Sequence, residues 1–200
     1  MAGRLANRVV VAVTGASGIQ YAQRLLNALA TAAIETHVVF SDAAFAVWRA
    51  ELDVPCNPEK PDLAAFAGVK GKFTLHRNTQ IGASIASGSF RHRGMVICPC
   101  TMATLGRIAS GAGDGLIERA VEVTLKERRK LLIVPRETPY SLIALRNLVT
   151  LTEAGATVID ANPGFYSRPK TVQDMIDFVV ARVLDHLDIE HELGKRWGER

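Results

Sequence analysis

The 200-residue sequence is 48% hydrophobic and 22% charged with a net charge of +4, which suits one globular domain over residues 1–200 with a full core. It lacks a basic run with interleaved aromatics to grip nucleic acid, a stretch near the ~20 apolar residues of a membrane span and an apolar signal core, so a cytoplasmic protein is expected. Its cysteines, Cys56, Cys98 and Cys100, are an odd number and do not read as a disulfide framework.

The chain opens on Val9-Val10-Val11-Ala12-Val13, a β-branched run that predicts a strand buried on both faces. Thr14-Gly15-Ala16-Ser17-Gly18 follows, and then a helix from Ile19 to Ala32 with a stripe at Ala22, Leu25, Leu26 and Leu29. A strand, a glycine loop and a helix leave unpaired amides and a positive dipole end at one spot, which suits a phosphate. Thr36 to Phe40 predicts the second strand, ending at Ser41, and Ala43 to Leu52 a helix carrying Trp48 and Glu51. The proline-bearing segment Val54 to Gly71 reads as a connection with short helical turns at most. Phe73 to Leu75 is a weak third strand, and residues 82–89 form a Gly/Ser-rich loop.

Gly94 to Cys98 predicts a fourth strand broken by Pro99, followed by a helix over Thr101 to Ser110. Asp114 is the expected N-cap of a helix from Gly115 to about Arg129. Its basic end, Lys126 to Lys130, complements the helix dipole. Leu131 to Val134 is the fifth strand, closed by Pro135-Arg136-Glu137. Pro139 is expected at the start of a helix reaching Ala154, with Gly155 as its stop. Thr157 to Ile159 is the sixth strand, Asn162 to Lys170 a loop, and Thr171 opens the last helix with its stripe at Val172, Ile176, Val179, Val180, Val183 and Leu187. Residues 188–200 are read as a tail.

Strands alternating with helices imply a Rossmann-like three-layer αβα sandwich around a parallel sheet of about six strands. Ligands bind such sheets beyond the C-terminal strand ends. Ser17, Ser41, the segment 99–104, Arg136, Glu137 and Tyr166 follow strands, so they are expected on one rim. Gly15-Ala16-Ser17-Gly18 is not the dinucleotide G-x-G-x-x-G. Tyr166 and Lys170 match the spacing of a dehydrogenase pair, but Pro163, Gly164 and Pro169 oppose the helical turn it needs. The five histidines and Cys98-Pro99-Cys100 lack metal-ligand spacing, so no metal site is expected. Arg119, Glu122 and Lys126 share one helix face and fit a salt-bridge ladder. Arg182 lies at the flank of an apolar stripe, where a half-buried guanidinium needs an anion.

Several blocks together resemble the flavin prenyltransferases (UbiX/Pad1). They are Thr14 to Gly18, Ala86-Ser87-Gly88-Ser89-Phe90, Gly94 to Cys100, Ile117-Glu118-Arg119-Ala120, Leu125-Lys126-Glu127-Arg128-Arg129, Pro135-Arg136-Glu137-Thr138-Pro139 and Pro163-Gly164-Phe165-Tyr166. The resemblance covers nearly the whole chain in order. It implies a flavoprotein that joins a dimethylallyl group from dimethylallyl phosphate to N5 and C6 of reduced FMN, without metal. The product, prenylated FMN, would serve a UbiD-type decarboxylase. By motif position FMN would contact Ala16, Ser17, Gly18, Ser41, Thr101, Met102, Ala103, Thr104 and Arg136.

The same resemblance gives dimethylallyl phosphate to Tyr166 and Arg182, helped by Arg119 and Lys126. It makes Glu51 a residue that reaches the site from a neighbouring subunit, and suggests a dodecamer, for which Phe45, Trp48 and the tail from Leu193 are candidate contacts. A monophosphate leaves reluctantly, so cations and a proton donor must assist it. Glu137 is expected to exchange a proton with the phosphate, and Ser17 to handle the N5 proton. Thr101 stands where many members carry serine, and Gln80-Ile81 departs from the family loop. An FMN-dependent decarboxylase and an FMN carrier are the alternatives; the decarboxylating relatives use a histidine in the first helix region, and Ile19 to Arg24 has none.

Overall fold

Six parallel strands form one sheet in the order β3-β2-β1-β4-β5-β6 in the computed structural model, which describes residues 7–194. The strands are β1 (Arg8–Val13), β2 (Glu35–Phe40), β3 (Phe73–Arg77), β4 (Gly94–Cys100), β5 (Lys130–Pro135) and β6 (Thr157–Val158). The helices are α1 (Ile19–Thr31), α2 (Asp42–Glu51), α3 (Leu63–Ala67), α4 (Met102–Ser110), α5 (Leu116–Lys126), α6 (Leu142–Glu153) and α7 (Val172–His186). Successive strand residues point to opposite faces. Val9, Val11 and Val13 therefore pack with α1, α3 and α7, whereas Val10 and Ala12 pack with α4, α5 and the inner side of α6. This is the expected three-layer sandwich. The strand order reverses between β1 and β4, and the crevice at that switch point is where such sheets bind ligands.

Several boundaries differ from the sequence expectation, each for a local reason. Pro99 does not break β4; the strand runs on to Cys100 through a cis Cys98–Pro99 bond, with an irregular register between Ile97 and Cys100. Asp114 does not cap α5. Gly115 is the N-cap, and the α5 start is bound by Asn78, whose carbonyl accepts from Leu116 N at 2.7 Å and whose Oδ1 accepts from Ile117 N at 3.0 Å. The helix ends at Lys126 rather than Arg129, because Arg128 turns into the left-handed region at φ 54°. Pro139 does not open α6; Ser141 caps it by accepting from Ala144 N at 3.1 Å.

In the last helix Thr171 and Asp174 form a reciprocal capping box, as their spacing requires. Val172 leaves the expected stripe and is 72% exposed. Trp48 is no surface contact: it is fully buried, packs 4.4 Å from Phe66 and donates its indole N–H to Val54 O. Phe45 is half-buried and stacks on Phe40. Of the tail, Ile189 is buried in the layer of α1 and α7; residues 195–200 lie outside the described residues.

Candidate functional site

Three helices begin at the rim around the switch point. Gly15 has no side chain because a Cβ there would collide with Ala43, so its glycine brings the start of α2 against the β1 loop. Gly18 sits at φ 95°, left-handed backbone that favours glycine, and turns the chain into α1. Its amide and that of Ile19 donate to Glu51 Oε2 at 2.8 and 3.2 Å. Within one chain, Glu51 reaches this loop from the end of α2. It also fills the anion position at the start of α1 that the sequence suggested for phosphate.

The start of α2 has Ser41 as N-cap, its hydroxyl accepting from Ala44 N at 3.3 Å, and Asp42 as the first helical residue. A carboxylate there opposes a second anion. The start of α4 is different. Thr101 caps it, its first turn carries no acidic residue, and the Met102 and Ala103 amides have no acceptor among the described residues. The turn is fixed from below by Thr14, whose hydroxyl donates to Pro99 O at 2.7 Å and accepts from Thr101 N at 2.9 Å. Of the three helix starts, only α4 is open and free of carboxylate. Cys98 and Cys100 are buried beneath it, and burial pushes the Cys100 thiol up to about 12. Neither is a thiolate nucleophile.

Arg136, after β5, lies over the β1 loop and donates from Nε to Ser17 O at 2.9 Å. Ser17 and Glu137 are exposed, and Glu137 Oε1 accepts from Thr138 N at 3.0 Å. Ala16 is buried and Gly18 lies against Tyr21. Burial raises the Tyr21 phenol above its ordinary value, and the neighbouring Arg136 opposes this. The rim thus gathers Ser17, Ser41, Thr101 to Thr104, Arg136 and Glu137, as expected. Sequence reasoning missed Tyr140 and Asp160, which meet at 2.7 Å after β5 and β6, and burial with that bond raises the tyrosine. Their only sequence signal was their position after strands.

The residues expected to hold a prenyl phosphate are not brought together within one chain. Arg119 and Lys126 are exposed on α5, on one face of the sheet; Tyr166 and Arg182 belong to the loop before α7 and to α7 itself, on the other. Because Asn78 follows β3 and binds the start of α5, that helix runs from the rim toward the opposite sheet edge, where Lys130 opens β5. Lys126, at its last turn, is therefore about 15 Å down the helix from the rim. Arg119 pairs with Glu122 at 2.6 Å, as the ladder predicted, but Lys126 lies 4.0 Å from Glu127 instead. Arg182 is not half-buried; its side chain is 54% exposed and 3.5 Å from Asp185. Tyr166 packs edge-on against Phe178.

The Flavoprotein family model matches residues 4–184. A flavin prenyltransferase UbiX of Halalkalibacterium halodurans is 47% identical over 190 residues, 94% of this chain and 92% of the relative. Among solved structures, AnUbiX (PadA1) in complex with FMN and dimethylallyl pyrophosphate superposes with a TM-score of 0.87 at 40% identity, over 98% of this chain and 100% of that one. A dodecameric FMN-dependent UbiX-like decarboxylase from Escherichia coli O157:H7 does so at 0.83 and 40% identity, over 96% and 100%. With the strand order, the rim and relatives matching over almost the full length, the chain belongs to the flavin prenyltransferase (UbiX) family of flavoproteins.

Proposed function

We propose that this protein joins a dimethylallyl group from dimethylallyl phosphate to N5 and C6 of reduced FMN, and that the prenylated FMN serves a UbiD-type decarboxylase in the cytoplasm. The observation that carries the reading is the α4 start: an N-cap hydroxyl and two acceptor-less amides without a nearby first-turn carboxylate. Those groups fit a flavin phosphate. Arg136, Ser41, Ala16, Ser17 and Gly18 border the same crevice and would line the rest of the flavin. Reduced FMN, when bound, supplies the nucleophilic ring atoms that take up the prenyl group.

The chain's own part is to hold the donor and assist departure of its phosphate. The carbon–oxygen bond of the prenyl phosphate breaks with its electron pair leaving on phosphate, so cations must face it. Arg119, Lys126, Tyr166 and Arg182 are the proposed donors. Their separation in one chain supports a site completed by further copies, and the similar UbiX-like decarboxylase from Escherichia coli O157:H7 is dodecameric. Glu137 passes a proton to the leaving phosphate, and Ser17 holds the proton released at the flavin edge. Glu51 acts on Ser17 and Gly18 by fixing their loop.

The test is to incubate the protein with reduced FMN and dimethylallyl phosphate without oxygen and weigh the flavin. A flavin heavier by one prenyl unit, in excess over protein, is expected; unmodified FMN would instead favour a carrier. Lys126→Ala and Glu137→Gln are expected to retain FMN, read by its absorbance after gel filtration, while slowing transfer at least about a hundredfold. Loss of FMN from either variant would refute its assigned role.

A further inference from the structure

We propose that His191 is a positioning residue for Arg182, acting through Asp185. The inference rests on the reading of Arg182 as a cation that faces the prenyl phosphate. His191 lies past the end of α7, between Ile189, which is buried, and Leu193, which packs against the same apolar layer of α1 and α7. Its side chain is 6% exposed. The Leu193 amide donates to its Nδ1 at 3.1 Å. A backbone N–H can only donate, so Nδ1 carries the lone pair and the ring hydrogen sits on Nε2. Nε2 lies 3.2 Å from Asp185 Oδ1 and is therefore the donor to that carboxylate.

This order of bonds gives Asp185 one fixed orientation. Its Oδ1 takes the imidazole hydrogen, and its Oδ2 lies 3.5 Å from Arg182 Nη1, one turn back along α7. An ion pair at that spacing on an exposed helix face is weak and loosely held on its own. A carboxylate gripped from behind by a buried imidazole has lost that freedom, and the imidazole is itself held by the backbone of an anchored segment. The guanidinium is a planar fork of five donors, so the edge turned to Asp185 sets the plane in which the others meet a phosphate. The path runs from backbone to imidazole, to carboxylate, to guanidinium. With its Nδ1 lone pair in use the imidazole carries no charge, so its contribution is orientation rather than attraction.

The measurement is the initial rate of flavin prenylation against the concentration of dimethylallyl phosphate, with reduced FMN saturating. Asparagine places an amide oxygen where Nδ1 stands, and glutamine an N–H where Nε2 stands, so each keeps one of the two bonds of His191. His191→Asn is expected to lower kcat/KM about fivefold, chiefly through KM, because the misaligned cation already holds the phosphate before transfer. His191→Gln should recover most of the wild-type KM. Asp185→Ala, at a part-exposed helix position that suits alanine, should raise KM as His191→Asn does. Adding His191→Asn to Arg182→Ala should cost no more than Arg182→Ala alone. FMN retained after gel filtration should match wild type in every variant. Asparagine and glutamine variants that behave alike, a lower KM in Asp185→Ala, or additive losses in the double variant would overturn the proposal alone. No transfer by wild type, or an unchanged KM in Arg182→Ala, would overturn the reading of Arg182, and this inference with it.

Discussion

Glu51 receives the Gly18 and Ile19 amides and so acts as the missing cap of α1, which has no side-chain cap of its own. Glu51→Ala is expected to lower unfolding free energy by about 1 kcal/mol in chemical denaturation, with Glu51→Gln losing less. The same change should open a second anion position, seen as tighter binding of inorganic phosphate. His92 gives a pH test. Burial holds its pKa down to about 4, against the push from Gly94, with Arg129, His37 and Arg8 lowering it further. The unfolded chain takes up this proton near the ordinary histidine value, so stability is full above about pH 6.5 and falls as pH drops toward 4. Wild type should lose more stability across that window than His92→Gln, measured by denaturant midpoints. Sequence exposed the chemistry of Ser17, Ser41, Thr101 and Arg136, because each follows a strand. It did not expose what Glu51 caps, since that partner lies across a helix and a turn.

Helix α5 shows the same division between what is local and what is distant. Its apolar stripe, from Leu116 and Ile117 through Ala120 and Val121, packs in the core layer shared with α4. Its start is set by Asn78, 38 residues before Leu116, so a search of neighbouring residues turns to Asp114. Asn78→Ala should therefore destabilise by about 1–2 kcal/mol, while Asp114→Ala should stay within about 0.5 kcal/mol. Equal effects in thermal or denaturant unfolding would return the cap to Asp114. Strand β1 was legible because full burial leaves only β-branched and apolar choices, as in Val9 to Val13, whereas the part-exposed β3 runs two residues past the predicted Leu75. Pro99 misled because a proline inside a strand is rare enough to read as its end.

Across the molecule, the proposed flavin turn lies at the carboxyl ends of the strands, while Lys126 lies toward the other edge and Arg182 on the opposite helix layer. On the proposed assignment, one chain offers an acceptor half and a donor half that do not meet. Mixing Ser17→Ala subunits with Lys126→Ala subunits, each inactive alone, is expected to restore transfer when the two are refolded together. Continued inactivity of the mixture would place both halves in one copy. The fold class was readable from the alternation of strands and helices; this split was not, because residue order says nothing about which face a helix covers. Its consequence reaches inheritance. A cell making intact and damaged copies together would lose activity faster than its share of damaged copies, since each one spoils the site it hosts and the site it completes next door.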